Sequence, residues 1–152
     1  LIVDGNLKSD LLNDLAADSF YEKFDLKLVP ASPGKASRLT PFITKENVTL
    51  YLNLSESQIL CGINFSDTVS AAIELINYGV GKVIITNGQN KVSMASRATG
   101  VLSVTPPKIK VKRLTGAGDA FLAAHVKAEM LNYDPKQCLE FAVEKSARYI
   151  SE

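Results

Sequence analysis

Val80-Gly81-Lys82-Val83-Ile84-Ile85-Thr86 sets the fold class of this chain. Its apolar residues run together rather than alternate, as in a central strand covered by helices on both faces. Just upstream, Ser66-Asp67-Thr68 is a helix-start cluster, and Val69, Ala72, Ile73 and Ile76 mark the buried stripe of a helix stopping near Gly79. Before that, Val48–Asn53 reads as a strand and residues 55–61 as a short helix behind a cap-like Ser and Glu. At the start of the chain, residues 1–4 form a short apolar run, and Leu11, Leu12, Leu15, Ala16 and Phe20 recur at helical spacing over residues 8–23. Residues 26–30 form the next strand. Residues 30–41 hold three prolines and a glycine, which predicts a loop with one helical turn at 35–39. Downstream, residues 91–96 and 101–104 alternate around Gly100 and predict a hairpin. Pro106-Pro107 breaks the chain before a short strand at 109–112. A helix over 117–131 offers Ala120, Ala123, Ala124 and Met130 to the sheet, leaving His125, Glu129 and Asn132 on a second, surface stripe. Asp134-Pro135-Lys136-Gln137 starts the last helix, with Asp as N-cap, Pro at N1 and Gln at N3. Strand and helix alternate from end to end, so the expected class is α/β with a mostly parallel sheet, one domain over residues 1–152.

Charge and composition exclude several functions. With 17 basic against 16 acidic residues and no basic block, neither a nucleic acid nor a membrane surface is an expected partner. The longest apolar stretches are a few residues, far from the roughly 20 that span a bilayer. Cys61 and Cys138 form neither a disulfide framework nor a metal knuckle. They read as buried free thiols in a reducing cytosol, which makes the expected location cytoplasmic. His125 is the only histidine, so no histidine-based triad or zinc site can be assembled. Residue 1 is a Leu inside a strand, and the chain reads as a piece of a longer protein.

The chemistry concentrates in Thr115-Gly116-Ala117-Gly118-Asp119-Ala120-Phe121, which follows a strand-like run and opens a helix. Its backbone amides converge where the helix dipole is positive, so the turn can hold an anion. Glycines at 116 and 118 let the backbone approach a phosphate, while Asp119 projects from the first helical turn. A carboxylate there repels a stored phosphate but suits a base that takes a proton from an attacking hydroxyl. The same string also reads as a tight strand-to-helix turn in which Asp119 merely complements the dipole. On these residues alone both readings stay open. Phe121 stands where the third Gly of GxGxxG belongs, and no Gly-Lys-Ser/Thr occurs, so dinucleotide and P-loop readings fall away.

The longer string resembles the second signature of the ribokinase-like (PfkB-type) carbohydrate kinases, D-T-x-G-A-G-D-x-F. Gly116, Ala117, Gly118, Asp119 and Phe121 match, while Arg113 and Leu114 replace the leading Asp-Thr. Asn53-Leu54-Ser55-Glu56 meets the family's N-x-x-E in order, although by itself this motif is equally a helix cap. Asp4-Gly5-Asn6-Leu7 is similar to the D-x-N segment, and Thr86-Asn87-Gly88 to the T-x-G that ends a strand beside the nucleotide. Residues 30–36, Pro-Ala-Ser-Pro-Gly-Lys-Ala, and the lost leading Asp resemble the pseudouridine kinases within the family.

The resemblance implies a three-layer α/β/α fold, present as its C-terminal half only. It implies in-line transfer from ATP, with Mg²⁺, to a hydroxyl of a sugar or nucleoside, pseudouridine being the best match. Asp119 would be the general base and the amides of Gly116, Ala117 and Gly118 an anion hole. Glu56 would act through water on Mg²⁺, and Asn53, Thr86, Gly88 and Thr115 would complete the nucleotide site. Lys35 and Arg113 could approach phosphate, or simply be solvated. The sugar site, the lid and the segments closing the adenine pocket would lie outside this chain. It would therefore associate with that other half or with itself, and would not turn over alone. The rival reading is a truncated, non-catalytic nucleotide-binding module.

Overall fold

The structure, a computed structural model, describes residues 1–113 and 115–152. Leu114, one of the two departures from the kinase signature, lies outside the described residues. The element order is β1 (Ile2–Asp4), α1 (Ser9–Ala17), a 3₁₀ helix (Ser19–Lys23), β2 (Leu26–Val29), a second 3₁₀ helix (Pro33–Phe42), β3 (Val48–Asn53) and α2 (Leu54–Cys61). Then follow α3 (Thr68–Tyr78), β4 (Lys82–Thr86), β5 (Val92–Ser96), β6 (Gly100–Val104), α4 (Ala117–Met130) and α5 (Pro135–Ser151). The strands lie in one sheet in sequence order; β1 to β4 pair in parallel, and β5 and β6 add an antiparallel hairpin. The expected α/β class with a mostly parallel sheet is what forms.

Side chains alternate across the strands and divide the core in two. Leu28, Leu50, Leu52, Val83 and Ile85 pack with Leu12, Leu39, Phe42 and Leu75 on one face. Tyr51, Ile84, Val92 and Met94 pack under α4 and α5 on the other, giving three layers. Leu28 and Leu50 are fully buried, so truncating either to Ala would cost about 2–5 kcal/mol. Among the described residues no helix is long and apolar enough to cross a membrane.

Several expectations change. The helix expected over 8–23 breaks after Ala17, because Asp18 turns extended and its carboxylate accepts from the Phe20 N–H at 2.8 Å, capping a 3₁₀ turn instead. The loop after β2 carries not one helical turn but a ten-residue 3₁₀ helix. Ala36, Leu39 and Phe42 bury in the core there, and Arg38 donates to the carbonyls of Gly5 and Leu7. Residues 109–112 have no sheet partner among the described residues, so they form no strand. Cys138 is buried as expected, but Cys61 is only half-buried; both are free thiols, and burial pushes Cys61 up to about 11.

The largest correction is His125, which is buried rather than on the surface. The α4-facing side of the sheet carries Lys27, Tyr51 and Lys82, and these need polar partners. The helix supplies them: His125 Nδ1 lies 2.9 Å from the Tyr51 hydroxyl, and Glu129 bridges Lys27 at 2.6 Å and Lys82 at 2.7 Å. Burial alone would raise the Glu129 carboxyl, but the hydrogen bonds from Lys27 and Lys82 outweigh it and hold it low. Met130, expected on the sheet, is 78% exposed instead.

Candidate active site

The four parallel strands end on one rim, where ligands of open α/β sheets bind. There β3 ends at Asn53, β4 ends at Thr86 and α4 begins, around a cleft of about 380 Å³. Asn53, Glu56, Thr86, the turn 116–118, Asp119 and Phe121 all line it. Residues from three separate stretches of sequence thus meet at one place.

Two helix N-termini face this cleft. That of α2 is closed by its own side chains: Asn53 Oδ1 accepts from the Glu56 N–H at 2.9 Å, and Glu56 Oε2 accepts from the Asn53 N–H at 2.8 Å. The helix-cap reading of this motif is therefore realised, while the same two residues also form cleft wall. Glu56 is buried, and burial pushes its carboxyl up against the lowering effect of the Asn53 N–H. The α4 N-terminus has no such closure. Gly116 is the N-cap at φ 85°, without a side-chain cap, and the Ala120 N–H returns to Gly116 O at 2.9 Å. The amides ahead of Ala120 are left for a ligand, at the end where the dipole amounts to about +0.5 charge. A Cβ on Gly118 would meet nothing within 4 Å, so this glycine keeps the cleft open rather than relieving the backbone. Asp119 is exposed in the first turn and lines the cleft.

A second cleft, of about 200 Å³, adjoins the first and shares Thr86, Ala117, Gly118 and Phe121 with it. One wall is the α5 stripe Val143, Ala147 and Ile150, the other Pro106, Ile109 and Val111 of the segment between β6 and α4. Gly88 lies here rather than in the first cleft. Thr86 and Gly88, which the sequence reading placed beside a nucleotide, line this slot, but its apolar walls were missed; their signals were the i, i+4, i+7 stripe on α5 and the alternation of Ile109 and Val111 with lysines. Together the two clefts can hold a polyanion joined to a flat apolar body.

Other expected residues stand apart. Thr115 is exposed just ahead of the turn and is not part of either cleft wall. Asp4 accepts from the Asn6 side chain at 3.2 Å, and the Lys35 ammonium donates to Asn6 Oδ1, a cluster beside β1 and outside both clefts. The Arg113 guanidinium lies 4.8 Å over the Tyr149 ring. Among the described residues no group of three or more His, Cys, Asp or Glu could cage a metal ion. Glu56 and Asn53 suit a Mg²⁺ that takes most of its ligands from phosphate and water.

The fold and these clefts define an α/β protein with an uncapped helix N-terminus on a cleft at the ends of its parallel strands. A family model described as pfkB family carbohydrate kinase matches residues 3–152, and the chain belongs to that family. A Clostridium perfringens protein classed as a sugar kinase superposes with TM-score 0.87 at 25% identity, over 99% of this chain and 48% of its own. A carbohydrate kinase from Agrobacterium tumefaciens gives 0.77 at 25% identity, over 97% and 46%. Phosphofructokinase-2 from Escherichia coli shares the fold, at TM-score 0.80 and 19% identity over 95% and 47%. The chain thus spans about half the length of these solved kinases. No curated protein matches the sequence.

Proposed function

We propose that this chain is the nucleotide-binding half of a kinase that transfers the γ-phosphoryl group of ATP to a hydroxyl of a sugar or nucleoside. The observation that carries the reading is the polar cleft, with an open helix N-terminus and two carboxylates, running into an apolar slot beside it. The base would enter between Val111 and Ala147, and the phosphates would lie against the 116–118 amides. Asp119 would take the hydroxyl proton as the acceptor oxygen bonds to the γ-phosphorus and the bridging P–O bond to ADP breaks. Mg²⁺ would neutralise phosphate charge when bound. Glu56 would hold it through water, with Asn53 arranging the phosphates around it. Residues 30–36 and Arg113 in place of the leading Asp favour a nucleoside acceptor such as pseudouridine. The residues that bind the acceptor would lie in the half of the relatives' length that this chain does not span.

The test is calorimetric titration of the chain with a non-hydrolysable ATP analogue, with and without Mg²⁺, beside the Gly118→Asp variant. Metal-enhanced binding that the variant loses is expected. A folded chain that binds no nucleotide, from a full-length protein that phosphorylates no sugar or nucleoside, would sink the reading.

A further inference from the structure

The turn that opens α4 is gripped from one side by α5. The Ser146 hydroxyl donates to Ala117 O at 3.1 Å. The Tyr149 side chain abuts Gly116 so closely that a Cβ there would stand 2.7 Å from the hydroxyl oxygen and 3.2 and 3.3 Å from two ring carbons. The same helix holds the residues entering the turn: the N–H groups of Lys112 and Arg113 both donate to Ile150 O, at 2.8 and 3.2 Å. The Arg113 guanidinium stacks over the Tyr149 ring. Core packing does not account for this arrangement, because Tyr149 is 37% exposed and belongs to neither apolar cluster.

The turn itself explains what the contacts are for. It has no side-chain cap, and two of its residues are glycines, the type with the most backbone freedom to lose. Loose amides would have to be ordered as an anion arrived, weakening capture; amides already held in place avoid that loss. We infer that Tyr149, helped by Ser146, is a positioning residue that holds the 116–118 turn in its anion-receiving form, an inference that rests on the nucleotide reading above. It also gives Gly116 a second reason to be glycine: besides its φ of 85°, a Cβ there would push the Tyr149 ring out of its place against the turn.

Two measurements on the chain separate this inference from the reading beneath it. Backbone ¹⁵N relaxation reports the turn directly. In the unaltered chain the amides of Gly116, Ala117 and Gly118 should show order parameters near the rigid value of about 0.85, and Tyr149→Ala should drop them below about 0.6. Tyr149→Phe keeps the ring carbons and should restore rigidity; Ser146→Ala should loosen the turn less. Titration with the ATP analogue should then show about tenfold weaker binding for Tyr149→Ala, recovered in Tyr149→Phe, with melting temperatures unchanged. An equally rigid turn in Tyr149→Ala overturns the inference whatever the titration gives. So does a loosened turn with undiminished affinity. A loosened turn in a chain whose unaltered form binds no nucleotide, from a full-length protein that phosphorylates no sugar or nucleoside, removes the nucleotide reading and leaves Tyr149 as the residue that holds the turn.

Discussion

The N-termini of α2 and α4 face the same cleft and solve the same problem in opposite ways. Each leaves a first turn of amides without helical partners. In α2, Asn53 and Glu56 close a reciprocal capping box with hydrogen bonds of 2.9 and 2.8 Å. In α4, Gly116 offers no side chain, Gly118 offers only space, and the turn is propped from outside by Ser146 and Tyr149. A helix start that satisfies itself spends its amides on stability; one left open keeps them for a ligand. The contrast predicts that changes at α4 strike ligand and rate, whereas changes at α2 strike stability as well.

The largest effect should come from Asp119→Asn in a full-length kinase containing this half. Turnover should fall by about 10²–10⁴-fold with nucleotide affinity nearly unchanged, as read by steady-state kinetics and titration. Equal losses in both would make Asp119 a dipole-complementing residue and erase the difference between the two helices. Next, Gly118→Asp should cut ATP-analogue affinity by roughly a hundredfold or more, because it fills the cleft and repels phosphate. Its melting temperature should hold, since a Cβ there meets nothing within 4 Å.

Deeper in α4 the rule of satisfied polar groups returns, with one exception. Among the described residues His125 Nε2 is the buried side-chain polar atom with no hydrogen-bond partner. Burial, opposed by Glu129 and reinforced by Lys82 and Lys27, lowers the imidazole to about 4, so it is neutral at pH 7. The unfolded chain regains the ordinary value near 6.5 and binds the proton first as pH falls. Stability contributed by the neutral form is therefore complete above about 6.5 and is lost progressively toward about 4. The total is on the order of 3 kcal/mol. Urea unfolding across this range should show the slope, and His125→Gln should flatten it. A slope unchanged in the variant would place the titration elsewhere.

The smallest effect belongs to the closed helix. Asn53→Ala should cost about 1 kcal/mol through the lost cap, measured by thermal or urea unfolding. Glu56→Gln keeps the size of the side chain but loses its charge, and should raise the Mg²⁺ concentration giving half-maximal rate in the full-length kinase. If Asn53→Ala left stability untouched, the capping box would be incidental and α2 would resemble α4 after all.

What could be read from the sequence was what lies close together in it. The 116–119 turn and the Asn53–Glu56 pair are contiguous motifs, and both appear at helix starts on the cleft. The strands from β1 to β6 follow from apolar runs and turn residues, and the parallel pairing of β1 to β4 follows from the helical segments between them. What escaped depends on partners distant in the chain. Residues 109–112 have the pattern of a strand, but a strand needs a neighbour, and no pattern reveals that none is there. The apolar walls of the slot come from residues 106–111 and 143–150, neither of them a motif alone.

The sequence by itself determined the class of fold, the glycine turn that opens α4 and the capped helix beside it, because hydrophobic period, glycine freedom and capping act over a few residues. Only the tertiary structure decided which face of α4 is buried. His125 and Glu129 turn inward because the sheet presents Lys27, Tyr51 and Lys82 to them, and buried polar groups must be paired. It likewise decided that Tyr149, a half-exposed residue thirty-three positions beyond Gly116, stands against that glycine. Which atoms meet across such a distance is fixed by how α5 packs on α4, and packing is a property of surfaces rather than of neighbours in sequence.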